Sequence, residues 1–155
     1  NLQQVCIEKV DGPSIIRIAS EIGARIHLHA GASAKVLLAY LPPEERERYY
    51  REFGLPRFTE KTITDKEELE AALRRIREQG YAFTMEEKEI NLAALAAPVL
   101  NHRGEVVASL TLIGPKWNFD PDHLRLYLKE IKAAAGEISG RLGYKPGKEG
   151  GGALG

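Results

Sequence analysis

Cysteine, methionine and tryptophan each occur only once in the 155 residues of this chain. A lone Cys6 cannot form an internal disulfide, which excludes a disulfide-based scaffold and favours a reducing, cytoplasmic setting. No apolar run approaches the roughly 18 residues that a membrane helix needs. The first residues also lack the basic and then apolar pattern of a signal peptide. We therefore expect no membrane association.

An excess of either charge is also missing, because 22 Lys and Arg residues balance 22 Asp and Glu residues. Without a net basic field, the chain itself has no general means of holding nucleic acid. Its length suits one domain, which buries roughly two thirds of the unfolded surface. Because the chain starts with Asn1 and enters strand-like sequence at once, we expect it to be a fragment of a longer protein or a chain whose first residues are missing.

The hydrophobic pattern predicts short strands, then helices, then longer strands and a last helix. Strands are expected at residues 2–10, 15–18, 81–99 and 106–113, and helices at 35–41, 43–53, 66–79 and 121–142. Short turns at 11–13 and 101–104 favour an antiparallel sheet with helices on one or both faces. The predicted fold class is therefore α+β, with one domain over residues 1–144 and a flexible, glycine-rich tail over 145–155.

The most informative segment is residues 25–41, RIHLHAGASAKVLLAYL. A strand-like run meets four very small residues, from Gly31 to Ala34, which open into an apolar helix. Small residues leave backbone N–H groups uncovered at a helix start, where the positive end of the helix dipole lies. Helix starts of this kind bind carboxylates and phosphates. The plainer alternative is a tight strand-to-helix turn in which small residues simply pack.

Three residue patterns near this segment suggest chemistry that their surroundings do not support. His27 and His29 would share one face of a strand, but no cysteine pair, HxxxH spacing or Asp-rich loop accompanies them, so no metal is expected. Lys35 follows a small-residue loop, yet Val36 stands where a phosphate-binding loop needs Ser or Thr for magnesium. Ser33 lacks the GxSxG turn of a nucleophilic serine.

Two other groups of reactive side chains have simple structural interpretations. Cys6 lies in the first predicted strand and is expected in the core, where a thiol is inert. Glu86, Glu87 and Glu89 suit general acid–base chemistry by residue type. A solvated acidic strand end is the simpler interpretation, and we therefore predict no catalytic residue.

Five segments occur in order along nearly the whole chain. They are LHAGASAKVLLA at 28–39, LPRFTEKTITD at 55–65, LEAALRRIREQGY at 69–81, AAPV at 96–99 and SLTLIGP at 109–115. They resemble, respectively, the blocks LHATAxGKxxLA, LPxxTxxTIxD, LxxxLxxIRxxGY, CIAAPV and LSVSGP of the effector-binding domain of IclR-family bacterial transcriptional regulators. No single block is specific, but five in register identify the family.

The resemblance implies a GAF-like fold, with a mainly antiparallel sheet, flanking helices and a ligand cavity. It implies a winged helix-turn-helix domain that precedes this domain and is absent from this chain, so that DNA is contacted only through that domain. The implied partners are a small-molecule effector, often an organic or aromatic acid, and further copies of the chain in a homodimer or tetramer. No cofactor is implied.

Departures from the family blocks fall where a ligand is expected. The family's Thr and Gly in HATAxGK are Gly31 and Ala34 here, the Cys before IAAPV is Ala94, and a nearby glycine is Asn91. The changes at Gly31 and Ala94 remove a polar partner and the change at Ala34 adds a methyl group, which suits a larger and less polar effector than a two- or three-carbon acid. The predicted ligand-binding residues are Gly31, Ala32, Ser33, Thr84, Met85, Ala94, Thr111 and Ile113, with no metal ligand among them.

Two alternatives to an effector-binding domain remain open. The first is a dimerisation module whose pocket is filled by side chains, because the many alanines permit close packing as readily as they line a cavity. The second is an enzyme acting on small organic acids through His29, Lys35 or the Glu86–Glu87 pair.

Overall fold

A computed structural model describes residues 2–13 and 21–147 of the chain. Within them, helices cover both faces of a three-stranded antiparallel sheet, and a two-stranded sheet is formed near the N-terminus. The elements are β1 (Gln4–Val5), β2 (Arg25–Ile26), α1 (Ala32–Ala39), α2 (Pro43–Phe53), α3 (Lys66–Gln79), β3 (Ala82–Met85), β4 (Leu92–Leu100), β5 (Val106–Pro115), a 3-10 turn (Lys116–Asn118) and α4 (Pro121–Arg141). The predicted α+β class is confirmed.

The larger sheet has the order β3-β4-β5, and side chains alternate between its two faces. Thr84, Ala94 and Ile113 are direct cross-strand partners, and the next row on the same face pairs Ala96 with Thr111. We call this the α1 face, because α1 packs against it. The opposite face carries Phe83, Leu95 and Leu112 in one row and packs against α4, and we call it the α4 face.

Each face has its own apolar cluster. On the α1 face, Val36 and Leu38 of α1 pack with residues of α2 and α3 that include Tyr49 and Leu73, and all four are fully buried. Six of the eight residues of α1 are buried, which its alanines allow because they let the helix approach the sheet closely. On the α4 face, Leu95 packs with Phe119, Ile131 and other residues.

Local sequence signals fix most helix ends as predicted. The Asp65 carboxylate accepts the Glu68 N–H at 2.8 Å at the start of α3, and Gly80 ends that helix in the left-handed conformation. At the start of α4, Asp120 accepts two backbone N–H groups and Pro121 occupies the first turn. The α1 helix begins at Ala32, three residues before its predicted start.

The N-terminal predictions are only partly correct. The strand expected at 2–10 is confined to Gln4–Val5, because β2, its partner, is equally short. Ile7 and Val10 beyond it are 75% and 91% exposed. Cys6 is half-buried rather than in the core, since it lies just past the paired residues. The strand predicted at 15–18 lies outside the described residues.

Two further elements differ from the prediction. The strand expected at 81–99 is two strands, β3 and β4, which the turn 86–91 joins. The core face predicted for the last helix is buried at Ile131 and Ala135, but Ile138 and Leu142 are 39% and 47% exposed. The buried stripe continues instead through Ser139, which is 1% exposed and accepts the Leu100 N–H of β4.

Truncating Leu95 to alanine tests the assignment of the α4-face core. Leu95 is fully buried, whereas its direct cross-strand partner Leu112 is 39% exposed. We expect Leu95→Ala to lower the free energy of unfolding by about 2–5 kcal/mol, the range for large-to-small core changes. Leu112→Ala is the matched control and should cost clearly less. Urea denaturation of both variants measures the difference, and equal losses would contradict this description of the core.

Candidate functional site

The start of α1 is held by a carboxylate from within the chain. The N-cap residue Gly31 has φ 89°, a left-handed conformation that favours glycine, and its N–H donates to Glu87 Oε2 at 3.1 Å. The other oxygen of Glu87 is 2.5 Å from Lys35 Nζ, and both side chains of this ion pair are nearly buried. Within the described residues, no side chain caps the N–H groups of the first turn, which begins at Ala32. The helix start therefore already binds one anion, the Glu87 carboxylate. The backbone N–H groups at 32–34 have no such acceptor among the described residues.

The turn that carries Glu87 is fixed from several sides. Glu86 and Asn91 both have positive φ, 58° and 66°, and asparagine is the residue other than glycine that best tolerates this conformation. Lys116, Lys61 and the Asn91 N–H all bind the Glu86 carboxylate and lower its pKa to about 2. The predicted solvated acidic strand end is thus wrong for Glu86 and Glu87, because both carboxylates are committed to ion pairs.

Backbone carbonyls of the same turn are bound by the segment that precedes α3. The Thr59 hydroxyl donates to the Glu86 carbonyl at 2.5 Å, and the Thr62 hydroxyl donates to the Glu87 carbonyl at 2.6 Å. Thr62 is buried, and its oxygen also accepts the N–H groups of Phe58 and Thr59. The turn therefore has little freedom to release Glu87.

A chain of uncharged polar side chains crosses the α1 face beside the helix start. Gln4 Nε2 donates to Ser33 Oγ at 2.7 Å, and Ser33 Oγ is 2.7 Å from Ser109 Oγ. Ser109 also donates to the Ser33 carbonyl at 3.2 Å. Two buried atoms near this chain, Gln4 Oε1 and Thr111 Oγ1, have no hydrogen-bond partner in the part of the chain that the structure describes. We call Gln4, Ser33, Ser109 and Thr111 the polar cluster.

Most of the predicted ligand-binding residues come together on this side of the sheet. Strand pairing places Thr84, Ala94, Thr111 and Ile113 on the α1 face, with α1 packed over it. Met85 lies on the opposite face with the Phe119 cluster, so it does not share a surface with the others.

The sequence alone indicates the positions of Ser109 and Met85 relative to the site, but it does not indicate that Gln4 contributes to it. Residues two apart on a strand share a face, so the choice of Thr111 implies that Ser109 lies on the same side. Adjacent residues lie on opposite faces, so Thr84 and Met85 cannot both belong to the site. No sequence pattern indicates the contact of Gln4 with Ser33, because 29 residues separate the two.

Two cavities open on the α4 side rather than on the α1 face. One, of about 170 Å³, lies between the end of β4 and the later turns of α4, with Pro98 and Ser139 in its wall. The other, of about 390 Å³, is lined by aromatic and aliphatic side chains that include Phe83, Phe119 and Leu124. Neither of these two cavities is lined by a predicted ligand-binding residue.

His29 is fully buried and uses both ring nitrogens in the fold. Its Nε2 donates to the Pro56 carbonyl at 2.8 Å, and its Nδ1 accepts from the Tyr49 hydroxyl at 2.9 Å, while that hydroxyl accepts the Leu28 N–H. This arrangement needs the neutral ring, and burial lowers the pKa of His29 although the Pro56 carbonyl opposes the shift. His27 packs beside it, with ring centroids 5.8 Å apart. Among residues 2–13 and 21–147, no three metal-ligating side chains come together.

The lowered pKa of His29 makes stability depend on pH. The unfolded chain takes up a proton near pH 6.5, which the folded state resists, so the free energy of unfolding should fall as the pH drops below about 6.5. His29→Gln should remove most of this slope between about pH 5 and 6.5, whereas the control His102→Gln, at an exposed position, should keep it. Urea denaturation at several pH values gives the slopes. An unchanged slope in His29→Gln would show that His29 is not the group responsible.

Removing the charge of Glu87 should leave Lys35 buried without a partner. Breaking a buried pair in this way costs about 3–5 kcal/mol, so Glu87→Gln should lower the free energy of unfolding by that order. Glu89→Gln, at an exposed position on the same turn, is the control and should have little effect.

The double variant Glu87→Gln with Lys35→Met should regain most of the loss, because no charge then stays buried. Denaturant unfolding of the three variants tests the pair. A small loss in Glu87→Gln alone would contradict the role given to it here.

Known proteins are similar to this chain in both sequence and fold. The family model "Bacterial transcriptional regulator IclR C-terminal" matches residues 1–140. The regulator KipR of Bacillus subtilis is 34% identical over 142 residues, which are 92% of this chain and 57% of KipR. The regulator KdgR of Escherichia coli is 37% identical over 140 residues, 90% of this chain and 53% of KdgR.

Solved structures of transcriptional regulators are similar to this chain as well. The crystal structure of the Thermotoga maritima IclR protein is similar with a TM-score of 0.86 at 34% identity, covering 92% of this chain and 58% of that one. A double mutant of the inducer-binding domain of the PobR transcription factor from Acinetobacter, in complex with 3-hydroxybenzoic acid, has a TM-score of 0.75 at 30% identity, covering 83% of this chain and 74% of that one.

The sheet with helices on both faces and the matched relatives define the C-terminal domain of a transcriptional regulator. The chain belongs to the IclR family of bacterial transcriptional regulators. It spans about half the length of the curated relatives that it matches. No helix within residues 2–13 and 21–147 is long and apolar enough to cross a membrane.

Proposed function

We propose that this domain senses an organic or aromatic acid, which binds on the α1 face between the start of α1 and strands β4 and β5. The observation that carries the proposal is the polar cluster, which lies on an otherwise apolar surface and has two buried atoms without a hydrogen-bond partner among the described residues. Buried polar atoms are nearly always hydrogen-bonded, so unpartnered ones indicate a place for a ligand. The N–H groups at 32–34, which no side chain of residues 2–13 and 21–147 caps, are donors suited to a carboxylate.

The proposed site keeps all but one of the predicted residues. Its members are Gly31, Ala32, Ser33, Thr84, Ala94, Thr111 and Ile113, while Met85 is omitted because it lies on the α4 face. Ala94 and Ile113 form an apolar wall, and ligand sites of this kind are mostly apolar with few polar groups. The complex of a double mutant of the PobR inducer-binding domain with 3-hydroxybenzoic acid supports an aromatic acid as the class of ligand.

The regulatory role of the longer protein is part of the proposal. We place the sensing domain at residues 1–144 and assign DNA binding to a separate winged helix-turn-helix domain, in a cytoplasmic protein. The names of KipR and KdgR, both HTH-type transcriptional regulators, support this division. The alternative of an enzyme is less well supported, because each of its candidate groups, His29, Lys35 and Glu86, is already committed to contacts within the fold.

Filling the space beside Ala94 should abolish ligand binding. We expect benzoate and related acids to raise the melting temperature of the chain, since a ligand at 100 times its dissociation constant adds about 2.7 kcal/mol of stability. Ala94→Trp should remove this shift. The large side chain itself costs about 1–3 kcal/mol, so the measurement is the ligand-dependent shift in a thermal unfolding assay and not the melting temperature alone.

The control for this experiment is Met85→Leu, a change of similar volume on the opposite face of the sheet. Its ligand-dependent shift should equal that of the unaltered chain. A full shift in Ala94→Trp, or a shift lost in Met85→Leu, would contradict the proposed position of the site.

We further propose that the chain assembles as a symmetric homodimer or as a dimer of dimers, the commonest closed arrangements of soluble proteins. Large apolar side chains stay exposed in the single chain, among them Ile90 at 71% and Trp117 at 61%. Light scattering at tens of micromolar should give two or four times the 17.2 kDa of one chain. A particle of 17.2 kDa at that concentration would refute this proposal.

A further inference from the structure

One edge of the larger sheet carries backbone groups without partners. Strand β3 lies at the end of the order β3-β4-β5 and pairs only with β4 among the described strands. The Glu86 N–H donates to the Leu92 carbonyl, and bonded and non-bonded pairs alternate along an antiparallel ladder. The N–H and C=O groups of Phe83 and Met85 therefore point away from β4, and no backbone group of residues 2–13 and 21–147 pairs with them there. This edge can accept one more strand.

An apolar cavity lies beside this edge, on the α4 face. It has a volume of about 390 Å³, and its walls include Phe83 of β3, Phe119, and Leu124 and Leu128 of α4. In a strand added to β3, side chains alternate between the two faces of the sheet, so every second one points toward α4. The cavity is placed to receive one large apolar side chain of such a strand.

A row of cations on α4 runs along the same edge. Arg125, Lys129 and Lys132 are spaced i, i+4 and i+7, which puts them on one side of the helix. Arg125 is part of the cavity wall, and Lys132 Nζ lies 5.0 Å from the centre of the ring of Tyr81, the residue before β3. Asp122 pairs with Arg125, but these side chains are 85% and 76% exposed, and exposed pairs contribute little. The row thus offers positive charge to a segment bound at the edge.

We propose that the β3 edge binds an extended segment of a partner protein, with one large apolar side chain in the cavity and acidic side chains two positions before and after it. Backbone hydrogen bonds to Phe83 and Met85 supply affinity, and the cavity and the cationic row supply specificity, as is general for strand addition. This surface and the proposed acid site are on opposite faces of the sheet, so the inference does not depend on that site.

Charge favours an acidic partner over a second copy of the chain at this edge. Two copies joined through β3 about a twofold axis perpendicular to the sheet would bring their two cationic rows together. Like charges facing each other across an interface oppose association, whereas acidic side chains complement the row.

Terminally blocked peptides test the proposal on the unaltered chain. In the peptide TETFTET, the phenylalanine and both glutamates project to one face of a strand, as the edge requires. The controls are TKTFTKT, with reversed charge, and TEFTTET, in which the phenylalanine and the glutamates project to opposite faces. Calorimetric titration at low salt should show TETFTET binding about tenfold more tightly than either control, because it alone matches both the cavity and the cations.

Amide hydrogen exchange, measured by NMR, reports the backbone contact. Saturating TETFTET should slow exchange at Phe83 and Met85, whose N–H groups point outward in the free chain. Exchange at Thr84 should change little, because its N–H already faces β4.

Charge reversal on α4 tests the cationic row. Arg125→Glu with Lys129→Glu should weaken the binding of TETFTET about tenfold and make TKTFTKT the preferred peptide. Arg74→Glu with Arg75→Glu is the matched control, because it makes the same change of charge at exposed positions of α3, and it should keep the preference for TETFTET. Melting temperatures without peptide show whether each variant is folded.

Each outcome either supports or overturns the proposal. Equal binding of the three peptides, no binding of TETFTET, or unchanged exchange at Phe83 and Met85 would overturn it. Protection of these two amides in the free chain that is lost on dilution would also overturn it, because a second copy would then cover the edge. Slowed exchange at the edge, with a preference for TETFTET that the α4 variant reverses and the α3 variant keeps, supports it.

Discussion

The Glu87 carboxylate is the contact on which the geometry of this domain depends. It joins the N-cap of α1 and the Lys35 side chain to the turn between β3 and β4, which are far apart in sequence. Two threonine hydroxyls bind the backbone of the same turn. A buried carboxylate is tolerated only when it is paired and hydrogen-bonded, and here both conditions are met. The start of α1 is consequently fixed over the sheet, which brings Ser33 within hydrogen-bonding distance of Ser109.

This contact also decides what is left for a ligand. The anion that the small-residue loop was predicted to bind is, at Gly31, a carboxylate of the chain itself. Lys35 is neutralised by the same group, so it adds no net positive charge to attract an effector. What remains is a set of backbone N–H groups and uncharged side chains beside an apolar wall. Such surroundings suit an acid whose body is apolar and which carries a few hydrogen-bonding groups.

The parts of the fold that depend on neighbouring residues could be predicted, and the parts that depend on distant ones could not. The bounds of α2 and the caps at Asp65 and Asp120 agree with local rules, because proline, acidic residues and glycine act within one helical turn. The turn at 86–91 was missed, since its left-handed residues are held by Lys61 and Lys116, each about 25 to 30 residues away in sequence.

The candidate site shows the same division. Strand alternation alone places Thr111 and Ile113 on one face of β5 and puts Thr84 and Met85 on opposite faces of β3, so those two could not both belong to the site. The contribution of Gln4 required the packing of β1 against α1, which no local pattern reveals. The resemblance to family blocks identified the domain, but the polar cluster became apparent only from the paired strands and the hydrogen bonds between them.

A crystal structure of the chain with the acid that stabilises it most is the most direct test of the central claim. The account predicts the ligand between the start of α1 and strands β4 and β5. At least one carboxylate oxygen should lie within about 3.2 Å of a backbone N–H at 32–34. A ligand bound instead in the cavity lined by Phe83, Phe119 and Leu124 would contradict the account.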